Sequence, residues 1–395
     1  MENKFKNNKI LLIRILYIFI LISGMVLITG CTDNRDNIAE NNGVLEKNGF
    51  AFNTTYKITI NTGGNESLLD ECVSKCQEFE KIFSRTLKGS EIYNINEIEE
   101  AYLKVSANPD TSIKNAKTKK DIKAVEKNIR DLIDPGNKIK FHLNAGGSIS
   151  FEISGVLYEI LEKGLYYSEI SDGGFDITIA PESSLWDFTS DKKKVPQDLA
   201  IKEAVKRTGY KNAVLEDGRI ILKKPGMGIE LGAIAKGFIA DQLKEYLTDN
   251  GVTSGTINLG GNVLCIGTKT DGSPFNIGIQ YPFADRNEII TAIKAEDVSI
   301  VSSGIYERYF KQDGKIYHHI LNPSTGYPFD NGLVAVTIIS VSSADGDALS
   351  TTCFALGLEK GMEFVESLDK VYAVFITEDE KLHYSEGFKE MEIKN

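Results

Sequence analysis

The chain is short of cysteine, of positive charge and of long apolar runs, and each shortage removes a class of protein. Five cysteines in 395 residues do not make a disulfide scaffold. Lys and Arg total 45 against 56 Asp and Glu, giving a net charge of −11 and a pI near 5.1. That balance excludes a general nucleic-acid binder, which needs a basic face for phosphates. The apolar stretch at residues 15–29 is shorter than the roughly 20 residues of a membrane-spanning helix. No internal repeat is evident, and no GxxxxGK[ST] phosphate loop is present.

What stands at the N-terminus reads as targeting. Lys4, Lys6, Lys9 and Arg14 precede "ILYIFILISGMVLIT", and "ITGC" at 28–31 has the form of a bacterial lipobox. A signal peptide over 1–30 with lipid on Cys31 is therefore expected. Residues 31–49 are polar and aperiodic and read as a flexible tether, reaching up to about 60 Å from a bilayer. The expected location is the extracytoplasmic face of the bacterial cell membrane, with the chain lipid-anchored.

The rest reads as one α+β domain over 50–395, a mixed sheet flanked by helices. "TYKITI" alternates as a strand does. Leu68, Leu69, Cys72, Val73, Cys76, Phe79 and Phe83 recur at helical spacing, with Ser67 and Asp70 at the helix start. Cys72 and Cys76 are read as small core residues, with a strained disulfide or a metal pair as alternatives. Residues 105–137 read as an insertion. Ile122, Val125, Ile129 and Leu132 there form the apolar stripe of a basic amphipathic helix. Further helices are expected at 150–165, 198–208, 233–247, 346–356 and 358–368. A hairpin is expected about Asp217-Gly218.

Several stretches could carry chemistry. "GGFDITIAPESSLWDF" (173–188) puts a flexible backbone beside Phe175, Asp176 and Trp186, the only tryptophan. "GIELGAIAKGF" (228–238) places Lys236 at a helix start, a plausible anion site. "NLGGN" (258–262) could wrap a phosphate in backbone N–H groups or could turn a hairpin. His318 and His319 are two of only four histidines, the side chain suited to proton transfer near neutral pH, and strand alternation would turn one inward and one outward. "ADGDALSTTC" (344–353) sets Asp347 and Thr351 four apart, on one face of a helix beginning near 346. Their hard oxygens suit Mg²⁺, while an acidic residue such as Asp345 could equally cap the helix.

In this order the motifs resemble the ApbE family of FAD:protein FMN transferases. The match runs from residue 50 to about 377 through "FNTTY", "FSRTLKGSEIYNIN", "GGFDITIAPESSLWDF", "IELGAIAKGFIAD", "INLGGN", "SSGIYERYF", "YHHILNPSTGYP" and "ADGDALSTTCFALG". The resemblance implies a single ApbE/T-fold-like domain that binds FAD with Mg²⁺, moves FMN onto a Thr or Ser hydroxyl of another protein, and releases AMP. It implies metal ligands at Ala233, Asp347 and Thr351. It implies FAD contacts at Gly174, Phe175, Asp176, Glu230, Lys236 and Ile320, with Gly260, Gly261 and Asn262 at the phosphates. His319, or else His318, would be the base. The implied partner is an extracytoplasmic FMN-acceptor redox protein, an Rnf- or Nqr-type subunit or a flavin-dependent reductase. A hydrolase giving FMN and AMP, or a non-catalytic flavin-binding lipoprotein, would share these motifs. Departures from the family pattern are Phe52-Asn53 before Thr-Thr-Tyr, Thr86 in place of a tyrosine, Glu230 in place of Asp, and Asn322 in place of Asp.

Overall fold

The computed structural model describes residues 43–108, 118–144, 146–190, 193–285 and 287–393. The expected signal peptide, Cys31 and most of the expected tether lie outside them.

Strands β1 (Leu45–Ala51) and β2 (Thr54–Thr62) form a hairpin. The folded chain thus begins inside the stretch read as tether. Its polar residues still pair along β2, and Lys47 is buried with its ammonium on Asp70. Helix α1 (Glu66–Phe83) follows, capped by Asn65, whose Oδ1 accepts from Leu68 N at 3.2 Å; Ser67 is already inside the helix. Cys72 and Cys76 are buried free thiols on its core face, and burial pushes both up to about 12. They are the small core residues the spacing suggested.

Helix α2 (Glu91–Ala107) leads toward α3 (Lys119–Arg130), which packs back on α2 through buried Val125 and Ile129. Leu132, expected on the same stripe, lies beyond the helix end and is exposed. Strands β3 (Phe141–Leu143) and β4 (Ile149–Glu152) precede α4 (Gly155–Ile170). The helix expected from 150 therefore starts later. Buried Ile149, Ser150 and Phe151 pair with neighbouring strands, and Ser154 caps α4 through Leu157 N. After α5 (Ala180–Ser183) and α6 (Asp198–Val205), β5 (Ala213–Glu216) and β6 (Arg219–Leu222) turn at Asp217-Gly218, both at positive φ, as the sequence suggested. These strands form a small sheet in the order β3-β4-β6-β5.

The second half holds α7 (Ala235–Asp249), β7 (Ser254–Leu259), β8 (Asn262–Gly267), β9 (Phe275–Gln280), β10 (Ile289–Ala295) and β11 (Ser299–Gly304). It continues with β12 (Tyr309–Gln312), β13 (Lys315–His318), β14 (Leu333–Ser340), α8 (Ser343–Leu356), α9 (Leu358–Glu366), β15 (Tyr372–Thr377), β16 (Leu382–Tyr384) and α10 (Phe388–Met391). The main sheet has eight strands in the order β1-β2-β7-β8-β11-β14-β15-β16. The α+β class holds, but every pairing in that sheet is antiparallel, where a mixed sheet was expected. Hairpins join β1 to β2, β7 to β8 and β15 to β16, which fixes opposite directions.

β14, "LVAVTIIS", is buried at every position, because both faces of the sheet are covered. Val334, Val336 and Ile338 join the core under α7 and α8. Ile339 turns to a second core with Phe275, Ile293 and Phe388 from β9, β10 and α10. Each such side chain taken from water contributes about 1.5–3 kcal/mol. A third cluster gathers Trp186 with Phe188, Phe310, Tyr317 and Tyr327. Trp186 Nε1 donates to Gly326 O at 2.9 Å, so the lone tryptophan anchors the 317–328 loop. Residues 43–393 lie in one compact unit. No helix among the described residues is long and apolar enough to cross a membrane.

Candidate functional site

Helices α7 and α8 cap each other. Ile234, at the N-cap of α7, offers no side-chain acceptor. Asp347 from α8 supplies one, its Oδ2 accepting from Gly237 N at 3.0 Å. In return Asp241 from α7 takes the first donors of α8: Ser343 N at 2.7 Å, Ala344 N at 2.9 Å and Ser342 Oγ at 2.9 Å. A helix N-terminus leaves four N–H groups without partners and favours a negative charge. Both needs are met here from across the contact. Glycine at 237 is required, since a Cβ there would lie 2.1 Å from Ser343 O.

The pairs 237–347 and 241–343 step by one helical turn in opposite directions. Ala233 lies just before the N-cap of α7, and Thr351 lies one turn beyond Asp347 on α8. With Asp347, they are the three residues expected to hold the metal. The first intrahelical acceptor of α7 is Ile234 O, and among the described residues no backbone N–H donates to the Ala233 carbonyl. Thr351 Oγ1 lies 3.2 Å from Ser303 Oγ at the end of β11. Asp347 is almost fully buried, and Lys236 Nζ stands 3.1 Å from its Oδ1. Among the described residues no cluster of three or more His, Cys, Asp or Glu is placed for a metal. An ion here would rest on one carboxylate, one carbonyl and one hydroxyl, keeping sites for water or substrate oxygens, which suits Mg²⁺. The Lys236 ammonium shows that this carboxylate accepts a cation.

α8 starts at Ser343, before the expected 346, and its cap is Ser342, whose Oγ accepts from Asp345 N at 3.2 Å. Asp345 is not the cap; it pairs with Lys163 Nζ of α4 at 2.8 Å.

The two histidines have different tasks. His318 is buried at the end of β13, and its Nε2 lies 3.0 Å from Phe329 O. Burial pushes it down to about 4. It is a neutral loop-holding group and a poor candidate base. His319 falls just past the strand, so alternation no longer applies and it does not turn to solvent. Its Nδ1 is buried without a partner. Burial, then Arg308, His318 and Lys236, push it down to about 3. In the free chain it is therefore a neutral imidazole, a weaker base than His318, with Arg308 and Lys236 nearby.

A second group adjoins this one through the 230–237 segment. Glu230 takes Gly232 N at 3.1 Å on Oε1, and Arg85 Nε and Ser183 Oγ on Oε2. Arg85 also reaches Ser184 Oγ at 3.2 Å, and Asn53 Nδ2 lies 3.5 Å from Thr86 Oγ1. Phe52 and Asn53 both have positive φ, forming the two-residue turn of the β1–β2 hairpin. Such a conformation is strained for Phe52, whose N–H is held by Glu80 Oε1 at 2.9 Å.

Other expected ligand contacts are committed elsewhere. Asp176 holds Thr178 N and Thr178 Oγ1 on one oxygen and Tyr210 N on the other, so it braces a turn. Burial raises its pKa. Phe175 is buried against Tyr167, and Gly174 packs on Ala355, leaving only half-exposed backbone at 173–174. Ile320 is a core residue. Gly260 and Gly261, both at positive φ, make the β7–β8 turn. Their N–H groups already donate to Thr55 O and Asn258 Oδ1, so they are not free for a phosphate. Asn262 is only partly committed: it is buried with its Oδ1 accepting from Ser343 Oγ at 2.9 Å, while its Nδ2 has no partner. Asn322 serves its loop as Asp would, with Oδ1 accepting from Ser324 N and Oγ.

Sequence reasoning missed Arg85, Asp241, Ser303 and Arg308. Each lies inside a motif already singled out, which was the available signal.

The comparisons bear on family and fold. The profile of the ApbE family matches residues 104–376. An FAD:protein FMN transferase of Klebsiella pneumoniae is 38% identical over 238 residues, 60% of this chain and 73% of that one. One of Treponema pallidum is 35% identical over 261 residues, 62% of this chain and 72% of that one. The ApbE protein of Thermotoga maritima superposes with a TM-score of 0.69 at 28% identity, over 89% of this chain and 100% of that one. With the profile covering well over half of its length and relatives of this identity, the chain belongs to the ApbE family.

Proposed function

We propose that this chain is an Mg²⁺-dependent FAD:protein FMN transferase. The reading rests on one observation above all: the buried Asp347 carboxylate, shared by Gly237 N–H and the Lys236 ammonium. The names of the relatives point the same way.

In the proposed reaction a Thr or Ser hydroxyl of the acceptor attacks the FMN phosphorus of FAD. A P–O bond to the acceptor forms, the P–O bond to AMP breaks, and AMP leaves. Ala233, Asp347 and Thr351 would hold Mg²⁺, which when bound neutralises the pyrophosphate and polarises the phosphorus. Lys236 and Arg308 carry positive charge toward the same oxygens. His319 takes the hydroxyl proton; burial holds its basicity down first, and an anionic substrate would offset the further contribution of Arg308 and Lys236. The Glu230–Arg85 pair and the strained Phe52-Asn53 turn border the position proposed for the rest of FAD.

The proposed acceptor is an extracytoplasmic redox protein, such as an Rnf- or Nqr-type subunit or a flavin-dependent reductase. A lipid anchor on Cys31 would keep both partners on one membrane surface and raise their effective concentration. The test is incubation with FAD, Mg²⁺ and a candidate acceptor domain. An acceptor gaining the mass of FMN, with AMP released in equal amount, is expected. AMP without flavinylated acceptor would instead identify a hydrolase.

A further inference from the structure

We propose that Asp241 is a positioning residue for the metal-binding carboxylate, acting from the far side of the α7–α8 contact. This rests on the metal role proposed for Asp347.

The argument is one of shared helices. Asp241 and Gly237 occupy one face of α7, a turn apart. Ser343 and Asp347 occupy the matching face of α8. Asp241 fixes the first turn of α8 with three hydrogen bonds, two of them to backbone N–H groups. Those bonds set how far α8 slides along α7. The slide sets where Asp347 meets Gly237 N, and so where its carboxylate stands. Ser343 extends the constraint into the sheet, with its Oγ 2.8 Å from Ser299 Oγ and 2.9 Å from Asn262 Oδ1. No other side chain accepts from the Ser343 and Ala344 N–H groups among the described residues. Asp241 touches none of the proposed metal ligands, so its effect must pass through the register of the two helices.

Asp241→Asn tests this at nearly constant size. An amide can accept from Ser343 N, but its NH₂ then meets Ala344 N–H, donor against donor. Mn²⁺ is the probe, its binding followed by electron paramagnetic resonance on the FAD-free chain, with Mg²⁺ as competitor. The variant should melt as one cooperative unit and bind Mn²⁺ about tenfold more weakly than wild type, as expected when a group supporting a ligand is lost. A purely structural role would lower the melting temperature and leave the dissociation constant of the folded chain unchanged; that result overturns the proposal. If Asp241→Asn does not fold, Ser342→Ala removes one donor to Asp241, and binding two- to threefold weaker is expected; unchanged binding again overturns it. Wild type that binds no Mn²⁺ would overturn the metal reading itself, a separately recognisable failure.

Discussion

The Lys236 ammonium stands 3.1 Å from Asp347 Oδ1. The carboxylate proposed for a metal ion thus already carries a cation of the chain's own. Ion and ammonium compete for it unless Lys236 turns toward substrate phosphate.

Lys236→Met separates those two roles. Without the competing ammonium, Mg²⁺ should bind the FAD-free chain several-fold more tightly, while transfer slows for want of a phosphate contact. Calorimetry for Mg²⁺ and acceptor mass for transfer would read the two effects. Weaker Mg²⁺ binding in the variant would contradict the competition.

Asp347→Ala removes the proposed metal ligand and the cap of α7 together. Transfer should fall at least a hundredfold, about 2.7 kcal/mol in the barrier. The lost cap should cost only about 1 kcal/mol of stability. Circular dichroism melts beside the transfer assay would check both; a variant that keeps full activity would refute the ligand role.

The histidines should split by assay. His318→Ala loses the bond to Phe329 O and the edge contact with Phe354, so it should lower stability by about 1 kcal/mol or more. His319→Ala should slow transfer more than it lowers the melting temperature. Both rings are neutral in the folded chain down to about 4 and about 3, against 6.5 unfolded. Between those values the unfolded chain binds more protons, so stability should fall as pH drops from 6.5 toward 4. Urea melts across that range, on wild type and on each variant, would show it.

Glu182 gives the opposite sign. It is fully buried beside the Gly326 turn, and burial pushes it up to about 8 from 4.5. The folded chain then holds a proton that the unfolded chain has lost. The stabilising contribution is present in full below 4.5 and is lost as pH rises through 8, by up to about 1.4 kcal/mol per pH unit. Wild type should lose melting temperature from pH 6.5 to 8 where Glu182→Gln stays nearly flat; parallel curves would rule out this assignment.

Local pattern made much of this molecule legible. The core face of α1, the Asp217-Gly218 turn, the placing of Lys236 in the first turn of α7 and the i,i+4 placement of Asp347 and Thr351 all follow from periodicity and turn chemistry. Where local rules failed, a partner distant in sequence had intervened. β1 lacks its own alternation but is completed by β2. The 260–261 glycines could have cradled an anion, but their N–H groups were taken by Thr55 and Asn258.

The sequence by itself determined the family motifs, the helices that carry them and the residue types able to bind a cation. Only the tertiary structure decided which of those residues meet. Gly237 and Asp347 are 110 positions apart, and nothing local ties their spacing. Their meeting depends on two helix N-termini left short of acceptors, each supplied with a carboxylate by the other helix, and on a glycine without the Cβ that would keep the backbones apart.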